Sequence, residues 1–314
     1  MTRHLQFLAS ILILTAGCTD TTRTAPTGAG LPETESAASS SPTDTRGFFP
    51  LAVGNRWEYD RVLTLEFIPD GDATPPPEFE SPYRSKATRE VIGMAESGGR
   101  AYRVMQYTIV EDDDPIPYIA LEYYRQDRDG LYFTYPAMTE PAGTRLAPRA
   151  IRPMTTRTPR MTGNGTAEQQ VAIRSLLAKR QAFHRSLMGG TATSARAHQR
   201  DGLPSEYLSL QYPLHPGAGW IMRPEDDPFL ITRNVEGREV LDLPFGRLPA
   251  WRINHDLPGF FGPNDYAHFW FGREGFYGYR LHVEADWTDA SGERLGTYIG
   301  DESEMLTEAN LVEN

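Results

Sequence analysis

The chain has 314 residues, of which 39% are hydrophobic, and a formal net charge of −11 at pH 7. A chain of this length can bury roughly three-quarters of its unfolded surface, so a substantial core is available without covalent cross-links. Its single cysteine excludes an intramolecular disulfide and any metal site built from several cysteines.

Residues 1–17 are predicted to be a signal peptide. Arg3 and His4 precede an apolar run from Leu5 to Leu14. This run is too short to cross a bilayer as a helix, and it is typical of the hydrophobic part of a secretory signal.

The run ends in Leu14-Thr15-Ala16-Gly17-Cys18, which resembles the lipobox of bacterial lipoproteins. The resemblance implies that the signal is cut before Cys18 and that Cys18 is lipidated. Because Thr19 rather than Asp follows the cysteine, the sorting rule of that family favours the outer membrane over the inner one. The alternative for Cys18 is a buried free thiol.

Residues 18–46 are predicted to comprise the lipidated cysteine and a disordered linker. From Thr19 to Arg46 the sequence is mostly Thr, Ser, Ala, Pro and Gly, with too little apolar surface to offset the entropy of ordering. A flexible coil of 28 residues extends roughly 30 Å, which is enough to hold a folded domain clear of a lipid surface.

The folded part is predicted to begin near residue 47, end near residue 311 and consist mainly of β-strands. Apolar and polar residues alternate from Trp57 to Phe67 and again from Tyr277 to Trp287, as they do in a strand with one buried face. Shorter predicted strands cover residues 100–110, 116–126, 130–135, 229–243, 250–255 and 267–272. Turn residues separate these runs, so the pattern predicts antiparallel sheets.

Recurring motifs divide this folded part into two related units, residues 47–144 and 203–311. Pro-Leu-x-x-Gly-x-x-Trp ends at Trp57 and again at Trp220. Arg89-Glu90-Val91 recurs as Arg238-Glu239-Val240, and Arg128-Asp129-Gly130 recurs in similar form as Arg273-Glu274-Gly275. Two copies of one sheet unit are therefore expected. The repeated tryptophans are interpreted as core anchors, and the alternative is an exposed aromatic groove for a sugar or an acyl chain.

Residues 145–202 form a basic insertion between the two units. Residues 145–201 contain eleven basic and two acidic side chains. A helix is predicted at about 166–188, with Thr166 as its cap and Gly189-Gly190 as its end. Its apolar stripe comprises Val171, Ile173, Leu176, Leu177, Phe183 and Leu187.

Two interpretations of this insertion are open. In one, the helix packs on an open face of the sheet, with its basic side chains solvated or paired with the acidic strands. In the other, it is a mobile arm whose cationic side chains contact anionic lipid head groups. The candidate contact residues are Arg149, Arg152, Arg157, Arg160, Arg174, Lys179, Arg180 and Arg185.

The sequence lacks four common catalytic or ligand-binding motifs: the Gly-x-Ser-x-Gly elbow, His-Glu-x-x-His, a phosphate-binding loop and an EF-hand. The histidines at 215, 255, 268 and 282 match no metal-ligand spacing, so neither a metal nor a cofactor is predicted. Nucleic acid is not expected as a partner, because the basic insertion lacks stacking aromatic residues and the chain is expected to be exported.

Parts of residues 48–280, including Phe49–Tyr59 and Leu243–Arg252, resemble segments of exported β-rich bacterial lipoproteins of unknown function. The basic insertion departs from that pattern. The resemblance implies a β-rich envelope protein and supplies no catalytic residues. The leading hypothesis is a lipid-anchored, non-enzymatic binding or structural module. Its lipid on Cys18 would hold it at the membrane, and its expected partners are anionic lipid head groups or another envelope protein. The alternatives are a carrier of acyl chains or lipids, and a hydrolase whose site is not visible in the sequence.

Overall fold

A computed structural model describes residues 49–71, 81–112, 114–134, 166–188, 206–224 and 230–312. The proposed signal peptide, Cys18 and the linker lie outside these ranges, and so does most of the basic insertion on either side of its helix.

The described chain contains twelve β-strands and one α-helix. In chain order these are β1 (Arg56–Pro69), β2 (Tyr83–Ser97), β3 (Arg100–Glu111), β4 (Asp114–Gln126), β5 (Gly130–Thr134), α1 (Ala167–Met188), β6 (Tyr207–Gln211), β7 (Gly219–Arg223), β8 (Ile231–Leu243), β9 (Gly246–Asp256), β10 (Tyr266–Gly272), β11 (Gly275–Thr288) and β12 (Arg294–Asn310). The predicted mainly antiparallel β class, with a helical insertion, is confirmed.

All twelve strands belong to one sheet with the order β6-β5-β4-β3-β2-β1-β12-β11-β10-β9-β8-β7. Each half is a six-stranded meander, and the halves join where β1 pairs with β12. The edge strands β6 and β7 also approach each other, because the Trp220 indole Nε1 donates to the Leu208 carbonyl at 2.9 Å. The sheet therefore curls around an interior.

Hydrogen bonds identify equivalent positions in the two halves. The Gly54 amide donates to the Val91 carbonyl at 2.8 Å, and the Gly217 amide donates to the Val235 carbonyl at 2.8 Å. Both glycines have positive φ, 96° and 82°, a conformation that side chains disfavour. Val235 thus corresponds to Val91.

The motif alignment was wrong in register at the second strand of each half. Trp57 lies opposite Arg89, and Trp220 lies opposite Arg233. The residue that corresponds to Arg89 is therefore Arg233 and not Arg238. The triplet Arg-Glu-Val recurs at Arg238, but strand pairing, rather than identity of letters, determines which side chain faces the interior.

The core lies on the concave face of the sheet. On β1 the odd positions Trp57, Tyr59, Leu63 and Leu65 are buried, as the alternation predicted. Trp57 and Trp220 are both buried, in agreement with their interpretation as core anchors. A second, smaller apolar cluster lies on β3 and β4 and comprises Tyr102, Val104 and Tyr123.

The predicted helix is present as α1 and packs against this concave face. Thr166 and Gln169 form a capping box. The backbone N–H of Gln169 donates to Thr166 Oγ1 at 3.3 Å, and the backbone N–H of Thr166 donates to Gln169 Oε1 at 2.7 Å. Phe183 is fully buried against Tyr279, with ring centroids 5.1 Å apart. Val171 does not belong to the buried stripe, because it is 59% exposed.

Candidate functional site

The interior contains charged side chains as well as apolar ones. We call Arg61, Arg89, Glu122, Arg180, His184, Glu302 and Glu304 the ionic cluster. They come from five strands or helices that are far apart in sequence, and each side chain is mostly shielded from solvent. A charge in such surroundings is tolerated only when it is paired and hydrogen-bonded.

Glu302 links α1 to the sheet within this cluster. Its carboxylate accepts hydrogen bonds from Arg61 at 2.7 Å, from Arg180 Nε at 2.5 Å and from the Tyr279 hydroxyl at 2.7 Å. His184 Nε2 lies 3.0 Å from the same carboxylate. Burial alone would raise the pKa of Glu302, but Arg180, His184 and Arg61 hold that pKa well below its ordinary value. Burial lowers the pKa of His184.

Arg89 is the second centre of the ionic cluster. It donates to Glu122 at 3.2 Å and to Glu304 at 3.4 Å, and its guanidinium lies 4.4 Å from the centroid of the Tyr107 ring. Burial raises the pKa of Glu122 despite this pairing. The arrangement gives Arg89 two carboxylate partners and an aromatic face, which together compensate its charge away from water.

Ser186 on α1 and His255 on β9 resemble a serine–histidine pair of a hydrolase. Ser186 Oγ lies 2.8 Å from His255 Nε2, and both residues are fully buried. Arg233 Nε donates to His255 Nδ1 at 3.0 Å. A guanidinium can only donate, so Nδ1 carries no proton and the neutral ring is protonated on Nε2.

This tautomer cannot activate the serine. His255 Nε2 donates to Ser186 Oγ, and the hydroxyl donates in turn to the Phe183 carbonyl at 2.6 Å. Burial, together with Arg233 and Arg223, lowers the pKa of His255 well below its ordinary value. General-base catalysis requires a ring nitrogen that can accept the hydroxyl proton, and this ring offers none. The pair is structural.

A cavity of about 50 Å³ lies between the two halves of the sheet, and we call it the central cavity. Its polar lining includes Arg89, Glu122, Ser209 and Arg233, and the remainder is largely aromatic. An outer groove of about 470 Å³ shares Phe49 and Tyr124 with the central cavity and is otherwise lined by Pro50–Ala52, Met94, Tyr102, Arg103 and Arg125, among others. The groove has the volume of a small-molecule site, whereas the central cavity is far smaller.

The four histidines of the second unit do not converge. His215 is exposed, His255 is buried, and His268 and His282 lie on the outer face of the sheet on either side of Tyr266. His282 contacts Asp301 at 2.8 Å and Glu284 at 3.2 Å, and these carboxylates raise its pKa against the effect of burial. No group of three or more potential ligands that could hold a metal ion occurs among the described residues.

Two basic side chains of the helix pair with carboxylates outside it, and two are exposed to solvent. Arg180 bonds Glu302, and Lys179 Nζ lies 2.6 Å from Asp265. Arg174 and Arg185 are exposed. The remaining candidates for contact with head groups, Arg149, Arg152, Arg157 and Arg160, lie outside the described residues, as does Cys18. Within the part of the chain that the structure describes, no helix has the length and apolar character to cross a membrane.

The fold and site define this chain as a mainly antiparallel β protein with a helix and an ionic cluster in its interior. No family model and no curated protein matches its sequence. Two solved structures are similar in fold, each covering 84% of this chain and 98% of its own. One is from Bacteroides fragilis NCTC 9343, predicted to be exported and with a YmcC-like fold (10% identity, TM-score 0.37). The other is a predicted lipoprotein from Parabacteroides distasonis ATCC 8503 (9% identity, TM-score 0.32). Similarity at this level carries no inference about function.

Proposed function

We propose that this chain is a lipid-anchored protein of the bacterial cell envelope that acts as a non-enzymatic binding or structural module. The observation that carries this proposal is that α1 and the ionic cluster fill the interior of the curled sheet. With the interior filled, contacts with other molecules are made on the outer surface. The outer groove of about 470 Å³ is a concave surface of ligand size beside Phe49, where the chain leaves the proposed linker.

The same observation speaks against an acyl-chain or lipid carrier. Such a carrier needs an apolar cavity of a few hundred cubic ångströms. The central cavity has about 50 Å³ and a partly charged lining, and the larger outer groove is also not purely apolar, since Arg103 and Arg125 line it. The orientation of the protons in the Ser186–His255 pair likewise argues against a hydrolase at that position.

We also propose that the two halves descend from one duplicated unit. Both are six-stranded meanders with the same strand order. The equivalent hydrogen bonds at Gly54 and Gly217 support this origin.

The lipid anchor follows from the segment Leu14–Cys18, and replacing its cysteine tests it. A bacterial host should export the Cys18→Ala chain, and after cell lysis this chain should remain in the soluble fraction. Lipidated wild-type protein should instead partition into the detergent phase and sediment with membranes. Metabolic labelling with an alkyne fatty acid should mark the wild type and not the variant.

The sorting expectation is tested by a second substitution beside the same cysteine. In a host that applies the sorting rule, Thr19→Asp should move the labelled protein from the outer- to the inner-membrane fraction of a density gradient. Partition of Cys18→Ala into detergent as complete as that of the wild type would contradict lipidation. A distribution unchanged by Thr19→Asp would contradict the proposed sorting alone.

A further inference from the structure

Arg233 is a buried cation that lacks a carboxylate partner among the described residues. Its side chain is only 4% exposed. It donates to His255 Nδ1 at 3.0 Å, to the Ser209 carbonyl at 2.7 Å and to Ser209 Oγ at 3.2 Å, and its guanidinium lies 4.8 Å from the Phe269 ring centroid. All of these partners are uncharged. A buried charge with only neutral partners is costly.

The guanidinium nevertheless stays protonated. Burial lowers the pKa of Arg233 to about 10, which is still well above neutral pH. The interior therefore contains a permanent positive charge at this position. Its hydrogen bonds to the described residues use Nε and Nη1, so Nη2 makes none with them.

Comparison with Arg89 in the first half of the sheet shows which residue near Arg233 takes the place of a carboxylate. Across three adjacent strands, Val91 lies opposite Met105, and Met105 lies opposite Glu122. In the second half Val235 lies opposite Ile253, and Ile253 lies opposite Phe269. Phe269 therefore stands where the first half has Glu122, the carboxylate that pairs with Arg89.

The sixth strand of the opposite half supplies a different partner to each arginine. Arg89 receives Glu304 from β12, the sixth strand of the second half. Arg233 receives Ser209 from β6, the sixth strand of the first half. Two equivalent buried guanidinium groups thus differ in their partners: Arg89 has two carboxylates, whereas Arg233 has a phenyl ring at the position of Glu122 and a serine from the opposite half.

The central cavity lies directly beside this cation. Arg233, Ser209 and Phe269 line it from the second-half side, and Arg89 and Glu122 line it from the other. Its volume is about 50 Å³, whereas a cavity of about 150 Å³ accommodates benzene. The space suits an ion no larger than a halide or a one- or two-carbon carboxylate, and it is too small for a sugar phosphate.

We propose that the central cavity binds a small monovalent anion, a halide or a short carboxylate, through the guanidinium of Arg233 and the hydroxyl of Ser209. The anion supplies the negative charge that Glu122 and Glu304 supply to Arg89. Because the folded chain presents this site and the unfolded chain does not, the anion stabilises the fold, and this stabilisation increases with the logarithm of its concentration once the concentration exceeds the dissociation constant.

The test is thermal unfolding of the full-length chain, purified from the envelope in detergent, at fixed pH and ionic strength. Gluconate, which is too large for the cavity, is replaced stepwise by chloride, bromide or formate. The midpoint of the wild type should rise by about 5–10 °C when the anion reaches about a hundred times its dissociation constant. A response to chloride and bromide alone identifies a halide site, and a response to formate alone identifies a carboxylate site. A midpoint that none of the three anions changes overturns the proposal.

Two variants and a diffraction measurement complete the test. Arg233→Gln should lose the anion response, whereas Arg247→Gln, at a side chain that is 75% exposed, should keep it. An equal response in Arg233→Gln would overturn the assignment. If that variant does not fold, wild-type crystals soaked in whichever anion raised the midpoint decide: an anomalous bromide peak, or formate density, within about 3.5 Å of the Arg233 guanidinium supports the site, and the absence of that anion there contradicts it.

Discussion

At the scale of single residues, Glu302 links β12 to three other elements of the fold. It accepts hydrogen bonds from β1, β11 and α1 through Arg61, Tyr279 and Arg180. Such a network is stable only when complete, because loss of one member leaves the others buried and unpaired.

We therefore expect Glu302→Gln to lower the free energy of unfolding at pH 7 by about 3–5 kcal/mol, since Arg180 would lose its carboxylate partner. The pKa of Glu302 is held well below its ordinary value in the folded chain. This carboxylate therefore contributes stability above about pH 4.5, and the contribution is lost as pH falls through the folded pKa. In denaturant titrations between pH 7 and pH 3, the part of the loss of stability that begins near pH 4.5 and comes from this carboxylate should be absent from the variant.

Glu308→Gln is the matched control, because Glu308 is an exposed carboxylate on the same strand. It should change stability by no more than about 0.5 kcal/mol. Equal effects of the two substitutions would show that Glu302 is not part of a buried network. The lowered pKa of His184 adds acid sensitivity of the same sign, starting near pH 6.5, and this part should be larger in Glu302→Gln, because the Glu302 carboxylate partly offsets the effect of burial on that pKa.

Some residues of the core and of its buried charged groups were predicted from the sequence, and others were not. Trp57 and Trp220 were predicted as core anchors because an apolar residue that recurs at a strand start has a simple structural role. Glu302 and Glu304 were not singled out, since a carboxylate in a strand is ordinarily assigned to the wet face. Arg233 was missed because the repeated triplet pointed to Arg238, five positions away.

At the scale of elements, long strands with clean alternation were the most predictable. β1 and β11 were predicted within about two residues of their observed ends. The helix was predicted from its cap and the glycine pair that follows it, and it is observed as Ala167–Met188. β2, β6, β7 and β12 were not predicted as separate strands. In β12 the buried positions include Glu302 and Glu304, so the alternation of hydrophobicity that marks a strand is absent there.

The helix should contribute strongly to the stability of the sheet. Phe183 is fully buried on α1 and lies within 6.0 Å of the ring centroids of both Tyr279 and Phe269. We expect Phe183→Ala to cost about 3–5 kcal/mol, through lost burial and the cavity left behind. Chemical denaturation monitored by tryptophan fluorescence measures this difference.

Val171→Ala provides the comparison on the same helix. Its side chain is 59% exposed, so the change should stay within about 0.5 kcal/mol of the wild type. A loss for Phe183→Ala as small as that for Val171→Ala would mean that α1 does not pack in the interior.

At the scale of the whole molecule, the curled sheet is closed on itself by its own side chains rather than left open for a ligand. The two halves join through β1 and β12. At the other end of the sheet, Trp220 on β7 and Arg233 on β8 donate to the carbonyls of Leu208 and Ser209 on β6. The helix occupies the concave face. In our proposal the flexible linker and the lipid on Cys18 hold this filled body near a membrane, and its outer surface makes the contacts.

Native mass spectrometry of the exported Cys18→Ala chain tests the filled interior most directly. The account predicts the mass of the polypeptide alone, with no adduct beyond small ions, after purification from lipid-rich envelope extracts without detergent. A stoichiometric non-covalent adduct with the mass of a fatty acid or a phospholipid, retained through gentle ionisation, would contradict it and would favour a lipid carrier.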